Sequence, residues 1–412
     1  MKKFTKFLAI LVLAAASLIP SASAQLNVPS DGSDGILNIT NNAVIDLSQA
    51  TTGVWTSNNA ANAGNGIYDN TQWAVVFKYS SINIGPNATN VTFLNHPTHA
   101  PVVWLVQSNV TINGIVNLNG QPAQTSAPQI YTPTEPGPGG FRGGANGPVG
   151  AGAGFGPGGA QPGSGNGYDG DGADASYIGV YGNPQVLPLI GGSGSGAYNG
   201  ASGSGAGGAI LIVAGGTVTV NGQITALGGT GNVNLGISGV IGASGAIRIV
   251  ANQILGNGTI DAGSQLGAFN DEEPATGGRT RMEANTLSPQ LTIFPNTEAV
   301  PPGTTPVIFP PANAPTVSVL SVGTQTAPLD PQAAVASSAD IGIQTNGPVT
   351  ITLQTENFPI EGAVGLRITP KYGSALGLTA SYVSGNINQA TWQVTSTLPQ
   401  GFCVLQARAT AP

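Results

Sequence analysis

Five stretches of this 412-residue chain superpose when read for alternating apolar residues: Val75–Tyr79, Val103–Val106, Ile210–Val213, Ile247–Val250 and Thr280–Glu283. Three of them run on into a second shared stretch, at Val110–Gly114, Val218–Gly222 and Ile254–Gly258. Each of those continues into a third, at Ile115–Leu118, Ile224–Leu227 and Thr259–Ala262. Alternation with a period of two gives each strand one buried face. The Asn-Gly pairs between the second and third stretches tolerate the left-handed backbone that a sharp corner demands. One such unit cannot bury its apolar face alone, whereas stacked copies share a core. The expected fold is therefore all-β: a parallel β-helix (β-solenoid) over residues 25–300.

Aligned in this way, Val75, Val103, Ile210, Ile247 and Thr280 form one inward ladder, and Phe77, Leu105, Ile212, Ile249 and Met282 the next. The outward ladder reads Val76, Trp104, Leu211, Arg248, Arg281, apolar early and cationic late. Trp104, Leu211, Arg248 and Arg281 are accordingly the candidate ligand-binding residues of the flank. The apolar part of that ladder calls for a cover. A large Gly-rich insertion, residues 121–207, is the obvious one. It carries Phe141, Phe155, Tyr181 and Tyr198, and the apolar run Val186–Ile190. Aromatic anchors need somewhere to bury, so the insertion is expected to be an ordered, docked layer of extended, polyproline-II-like backbone.

Only 7% of the residues are charged. A helical protein keeps its outer faces wet with Lys and Glu; here Asn, Thr, Ser, Gln and Gly do so, which favours extended chain. The net charge of −7 argues against nucleic acid as a partner, because that partner demands a cationic footprint. Lys2, Lys3 and Lys6, the apolar stretch Phe7–Ala16 and the small triplet Ala22-Ser23-Ala24 have the layout of a secretory signal peptide over residues 1–24. Its apolar core falls short of the ~20 residues that span a bilayer. The expectation is a secreted, extracellular or cell-surface protein with no membrane insertion after signal removal. One cysteine, Cys403, excludes an intramolecular disulfide framework.

Pro301, Pro302, Pro306, Pro310, Pro311 and Pro315 make residues 301–315 a stiff linker expected to act as a spacer. Beyond it, residues 316–412 alternate over short stretches such as Val349/Ile351/Leu353 and Val364/Leu366/Ile368, with turn signals at Asn346-Gly347-Pro348 and Ser384-Gly385-Asn386. That pattern suggests an immunoglobulin-like β-sandwich.

The blocks Ser30–Gly35, Pro101–Leu105, Gly137–Phe141, Leu187–Leu189 with Gly191–Gly194, and Gly208–Ile212 together resemble those of secreted bacterial glycine-rich parallel β-helix proteins of uncharacterised function. The resemblance covers most of residues 30–285. It implies the fold and export, and it transfers no catalytic residue.

Other candidate sites are sparse. Asp169, Asp171 and Asp174 place three carboxylates within six residues, a set of oxygens that Ca²⁺ prefers, but Ala173 stands where an EF-hand has a ligand. A solvated turn is the simpler reading. His96 and His99 flank Pro97 without a Cys, Asp or Glu nearby to complete a metal set, and they read as a turn. Arg248 and Arg281 would repel on adjacent strands unless a carboxylate such as Glu283 or an anionic sugar lies between them. No paired carboxylates or nucleophile elbow mark a catalytic site. The expected function is that of a non-enzymatic extracellular structural or adhesive protein whose partners are copies of itself or extracellular polysaccharide. A polysaccharide-binding or polysaccharide-degrading β-helix is the alternative.

Overall fold

The structure is a computed structural model that describes residues 26–124, 132–147, 149–163, 181–198, 200–231, 241–263, 277–331 and 339–412. The segment 1–24, read as a signal, lies outside the described residues, as do Asp169, Asp171 and Asp174. The chain is nearly all β, and among the described residues only two short 3-10 turns, Leu47–Gln49 and Ala60–Asn62, break the succession of strands. Among the described residues no helix is long and apolar enough to cross a membrane.

Two sheets carry the repeats, and neighbouring repeats pair in parallel throughout. The first sheet sets Ala74–Ile84, Val102–Val106, Ala209–Ala214, Ala246–Val250 and Arg279–Glu283 side by side. Ala74–Ile84 is eleven residues long, so its second half carries the same sheet on into Val110–Ile112, Thr217–Val220, Gln253–Leu255 and Thr286–Leu287. The second sheet runs through Ala43–Asp46, Val91–Leu94, Ile115–Asn117, Gln223–Thr225, Thr259–Asp261 and Thr292–Phe294. Their inward residues, among them Val75, Ile210, Ile247, Val218 and Ile260, meet in one core. Each buried aliphatic side chain there is worth about 1.5–3 kcal/mol relative to exposure. Asparagines stack from repeat to repeat: Asn221 donates to Asn113 Oδ1 (2.9 Å), Asn285 to Asn252 Oδ1 (2.8 Å) and Asn83 to Asn38 Oδ1 (2.8 Å).

The register corrects the sequence alignment by one residue in the second repeat. Val75 pairs with Val102 and Phe77 with Trp104, which in turn pair with Ile210 and Ile212. Trp104 therefore points inward, its ring 6.2 Å from Phe93 and 6.4 Å from Tyr79. Val103 takes the outward place between Val76 and Leu211. The physical reason is that Val102–Val106 is apolar throughout and buried on both faces, so a period of two has no contrast to display. The later repeats hold the expected register: Ile247 and Thr280 pair, as do Ile249 and Met282, and Arg248 lies opposite Arg281.

The outward face of the first sheet is covered. Val186 and Leu189 of the insertion, Leu26 and Ile308 pack on Val76, Val103, Leu211 and Val250. Residues 301–315 thus do more than space two bodies. Asn27 N–H donates to Thr304 O (3.0 Å), and Arg248 Nη1 donates to Val307 O (2.8 Å).

Beside the sheets the glycine-rich backbone is organised as a layer. Segment 202–209 bonds to five others, at 118–124, 137–144, 192–195, 229 and 243–246. A strand in a flat sheet has two neighbours. Five require donors and acceptors that radiate around the chain, as they do in an extended helix with about three residues per turn.

The described residues between 316 and 410 form two antiparallel sheets. One orders Gln325–Thr326, Thr316–Val322, Val349–Glu356, Gln389–Ser396 and Ser381–Gly385; the other Leu376–Thr379, Ala363–Pro370 and Cys403–Thr410. They share a core of Ile351, Leu353, Val364, Ile368 and Trp392. Arg367 plugs them into the glycine layer, donating to the carbonyls of Gly159 (2.6 Å), Gly156 (3.0 Å) and Gly154 (3.1 Å). Gln161 clamps Ala375 from both sides, donating to its carbonyl at 3.0 Å and accepting from its N–H at 2.8 Å.

Candidate binding cleft

Where the antiparallel sheets meet the repeat body, a cleft of about 1120 Å³ opens. One wall comes from the body and its glycine layer: Trp73, Thr98, His99, Phe141, Arg142 and Phe155. The other comes from Thr316–Val322, from 339–346, from Gln354 and Glu356, and from 398–407.

The body wall is set by two tight turns. Asp69 accepts from Thr71 N–H (2.9 Å), Thr71 Oγ1 (2.7 Å) and Trp55 N–H (3.0 Å), and the turn that it ties delivers Trp73 with φ 47°. Trp73 Nε1 then donates to Thr98 O at 3.0 Å. In the second turn His99 N–H returns to His96 O (2.8 Å) and His99 itself has φ 56°. A left-handed backbone is uncommon outside glycine and gathers where surrounding structure enforces it, often at functional sites. Trp73, His99, Val186 and Asn357 are the non-glycine residues of this kind among those described, and two of the four line the cleft.

Charge on this wall is closed on itself. His99 Nε2 lies 2.8 Å from Glu135 Oε2, and Arg142 Nε donates to Glu135 Oε1 at 2.7 Å. Burial would raise the Glu135 carboxyl, but the His99 hydrogen bond and the Arg142 charge outweigh it and hold the group at about 2. Behind them His96 stacks on Tyr68, ring centroids 4.0 Å apart, and bonds Thr98 Oγ1 at 2.8 Å. Burial lowers the His96 pKa, against the opposing charge of Asp330. Tyr68 hydroxyl donates to Asp330 Oδ1 at 2.5 Å, a further tie to the chain beyond residue 315.

What the cleft presents outward is aromatic and amide. The rings of Trp73 and Phe141 lie 6.3 Å apart and 27° from parallel. Gln344, Asn346, Gln354, Gln400 and Gln406 supply amides, and Gln354 Nε2 is held by Glu356 Oε1 at 2.9 Å. Cys403 also lines the cleft, and burial raises its thiol pKa.

The structure disperses the residues singled out from sequence. Trp104 and Leu211 are 0% and 1% exposed, so neither offers a surface. Arg248 is buried as well: its Nε and Nη2 bond Glu283 Oε1 at 2.9 and 2.8 Å. Burial lowers its pKa, and Glu283 pulls it back up. Arg281 Nε shares the same oxygen at 2.8 Å, so the carboxylate between the two guanidiniums comes from Glu283. Arg279 donates to the carbonyls of Ile190 (2.9 Å) and Tyr181. Arg279 and Arg281 fasten the insertion to the last repeat through the carbonyls of Tyr181, Ile190 and Pro184. Asp169, Asp171 and Asp174, the Ca²⁺ candidates, lie outside the described residues, and among the described residues no cluster of three or more His, Cys, Asp or Glu could hold a metal. His99 is in the wall although its sequence context reads as a plain turn. Trp73, Arg142, Gln354 and Gln406 had no spacing signal; the one hint was the recurrence of aromatics in the insertion.

No family model matches the chain, and no curated protein and no solved structure matches it.

Proposed function

We propose that this protein is an exported, non-enzymatic binding scaffold that attaches to extracellular polysaccharide through the cleft between its repeat body and its C-terminal sheets. The observation that carries the reading is the pairing of walls. The Trp73–Phe141 pair, its planes 27° apart, and a bank of amide side chains line one cleft of about 1120 Å³. Aromatic faces take the C–H surfaces of sugar rings, and amides both donate to and accept from hydroxyls. The finer architecture belongs to the same reading. The parallel pairing of successive repeats in both sheets supports a β-helix, and the two antiparallel sheets over one core support an immunoglobulin-like sandwich. The layout of residues 1–24 supports export.

Self-assembly is the second reading, and the last repeat weighs against an end-to-end form. Residues 295–300 cross the last repeat, with Val300 N–H donating to Met282 O (3.0 Å) and accepting from Ala284 N–H (2.8 Å) through its carbonyl. A second copy would have to displace that strap before it could continue the sheet. Electrophoresis of the purified protein through native gels cast with soluble polysaccharides tests the proposal. Retardation by at least one polymer is expected. Unchanged mobility in all of them, with filaments in the microscope instead, would replace it with the assembly reading.

A further inference from the structure

Resting on that reading, we infer that the cleft selects neutral polysaccharide and rejects acidic chains. The arginine of its wall is already engaged: Arg142 binds Glu135, whose other carboxylate oxygen bonds His99. The facing side adds Glu356. A uronate or sulfate entering here would meet a carboxylate on one side and an arginine already paired with a carboxylate on the other, in a chain whose net charge is −7. Like charges at contact distance repel, and low-dielectric walls strengthen the effect. The arginines that would suit an anionic sugar, Arg248 and Arg281, are both bound to Glu283, and Arg248 is buried as well.

The features that remain are those a neutral sugar uses. The Trp73–Phe141 pair and Phe155 supply aromatic lining. The amide of Gln354 is oriented by Glu356, and an oriented amide recognises a hydroxyl at a lower cost in ordering than a free one. The volume, about 1120 Å³, exceeds the ~300–1,000 Å³ of ordinary small-molecule sites, which suits several linked sugars better than one.

Binding of laminarin and hydroxyethylcellulose, both neutral, and of polygalacturonate, which is acidic, is to be measured by calorimetry on the full chain at 50 and 500 mM NaCl. The expected result is binding of a neutral polymer that changes less than twofold with salt and weakens tenfold or more in Trp73→Ala. Because Trp73 also packs on the core, the wild-type protein supplies a second readout. Thiol modification of Cys403, the single cysteine, should slow in the presence of the bound neutral polymer. Preference for polygalacturonate, falling steeply with salt, overturns the neutral selectivity and leaves the binding function standing. Neutral binding without protection of Cys403 and without loss in Trp73→Ala overturns the assignment to this cleft. Absence of binding to all three polymers removes the proposed function together with its selectivity.

Discussion

Gly191 tests whether the glycine layer is a packed lattice of backbone. A Cβ added there would lie 2.6 Å from Gly207 O, 2.8 Å from Gly139 O and 2.8 Å from the Cα of Gly140. Those oxygens are not bystanders. Gly139 O accepts the N–H of Gly191 at 2.8 Å, and Gly207 O accepts the N–H of Gly192 at 3.0 Å. To reach an ordinary contact of roughly 3.4 Å, Gly207 O would retreat by ~0.8 Å, which takes the Gly192 bond beyond hydrogen-bonding distance. A buried donor left without its acceptor costs about 1–3 kcal/mol, and overpacking adds about 1–3 kcal/mol of strain. The alanine recovers only ~0.4–1 kcal/mol by restricting the unfolded chain. Gly191→Ala should therefore destabilise the repeat body by about 2–4 kcal/mol. Gly342, with nothing within 4 Å of its added Cβ, is the control. Gly342→Ala should be neutral or gain up to ~1 kcal/mol. Urea unfolding followed by the fluorescence of Trp55, Trp73 and Trp104 in the body reads the first variant, and Trp392 the second. Should Gly191→Ala unfold within ~0.5 kcal/mol of the wild type, the ordinary range for an inert surface change, the close-packed layer is wrong.

Two further outcomes follow from single residues. Glu135 has an ordinary value of 4.5 and is held at about 2 in the folded protein, so its stabilisation is complete above pH 4.5 and is lost as pH falls toward 2. The urea midpoint of the wild type should drop over that window more than that of Glu135→Gln. Arg367→Met removes the plug from the carbonyls of Gly154, Gly156 and Gly159. By the cost of leaving a buried acceptor unpaired, about 1–3 kcal/mol for each such carbonyl, it should loosen the C-terminal sheets. Limited proteolysis should then cut between residues 301 and 315 much faster, with the strands of each body still intact by circular dichroism.

The repeats were legible because their inward and outward residues differ in chemistry. Ile247-Arg248-Ile249 and Thr280-Arg281-Met282 announce their faces, and the register there agrees with the alternation. Val102–Val106 announces nothing. Both its faces are buried, and only the partner strands settle that Trp104 goes in. That one-residue slip carried Trp104 from the core to the surface in the sequence reading and made a binding residue of it. The arginines were placed correctly in the ladder, yet their role depends on Ile308 and Val307 returning over the sheet, a contact some sixty residues away in sequence that no local pattern encodes. The cleft was the least legible of all. Its walls join residues near 73, 99, 141, 354 and 405, and these meet because Arg367 is seated in the loop 154–159, Gln161 clamps Ala375 and Tyr68 bonds Asp330. A site assembled by docking two bodies leaves no spacing signature in either. What sequence does carry is the condition for the docking: a loop of small residues whose carbonyls point at one guanidinium. The glycine-rich insertion therefore serves the cleft twice, by supplying Phe141 and Phe155 to its wall and by holding the opposite wall in place.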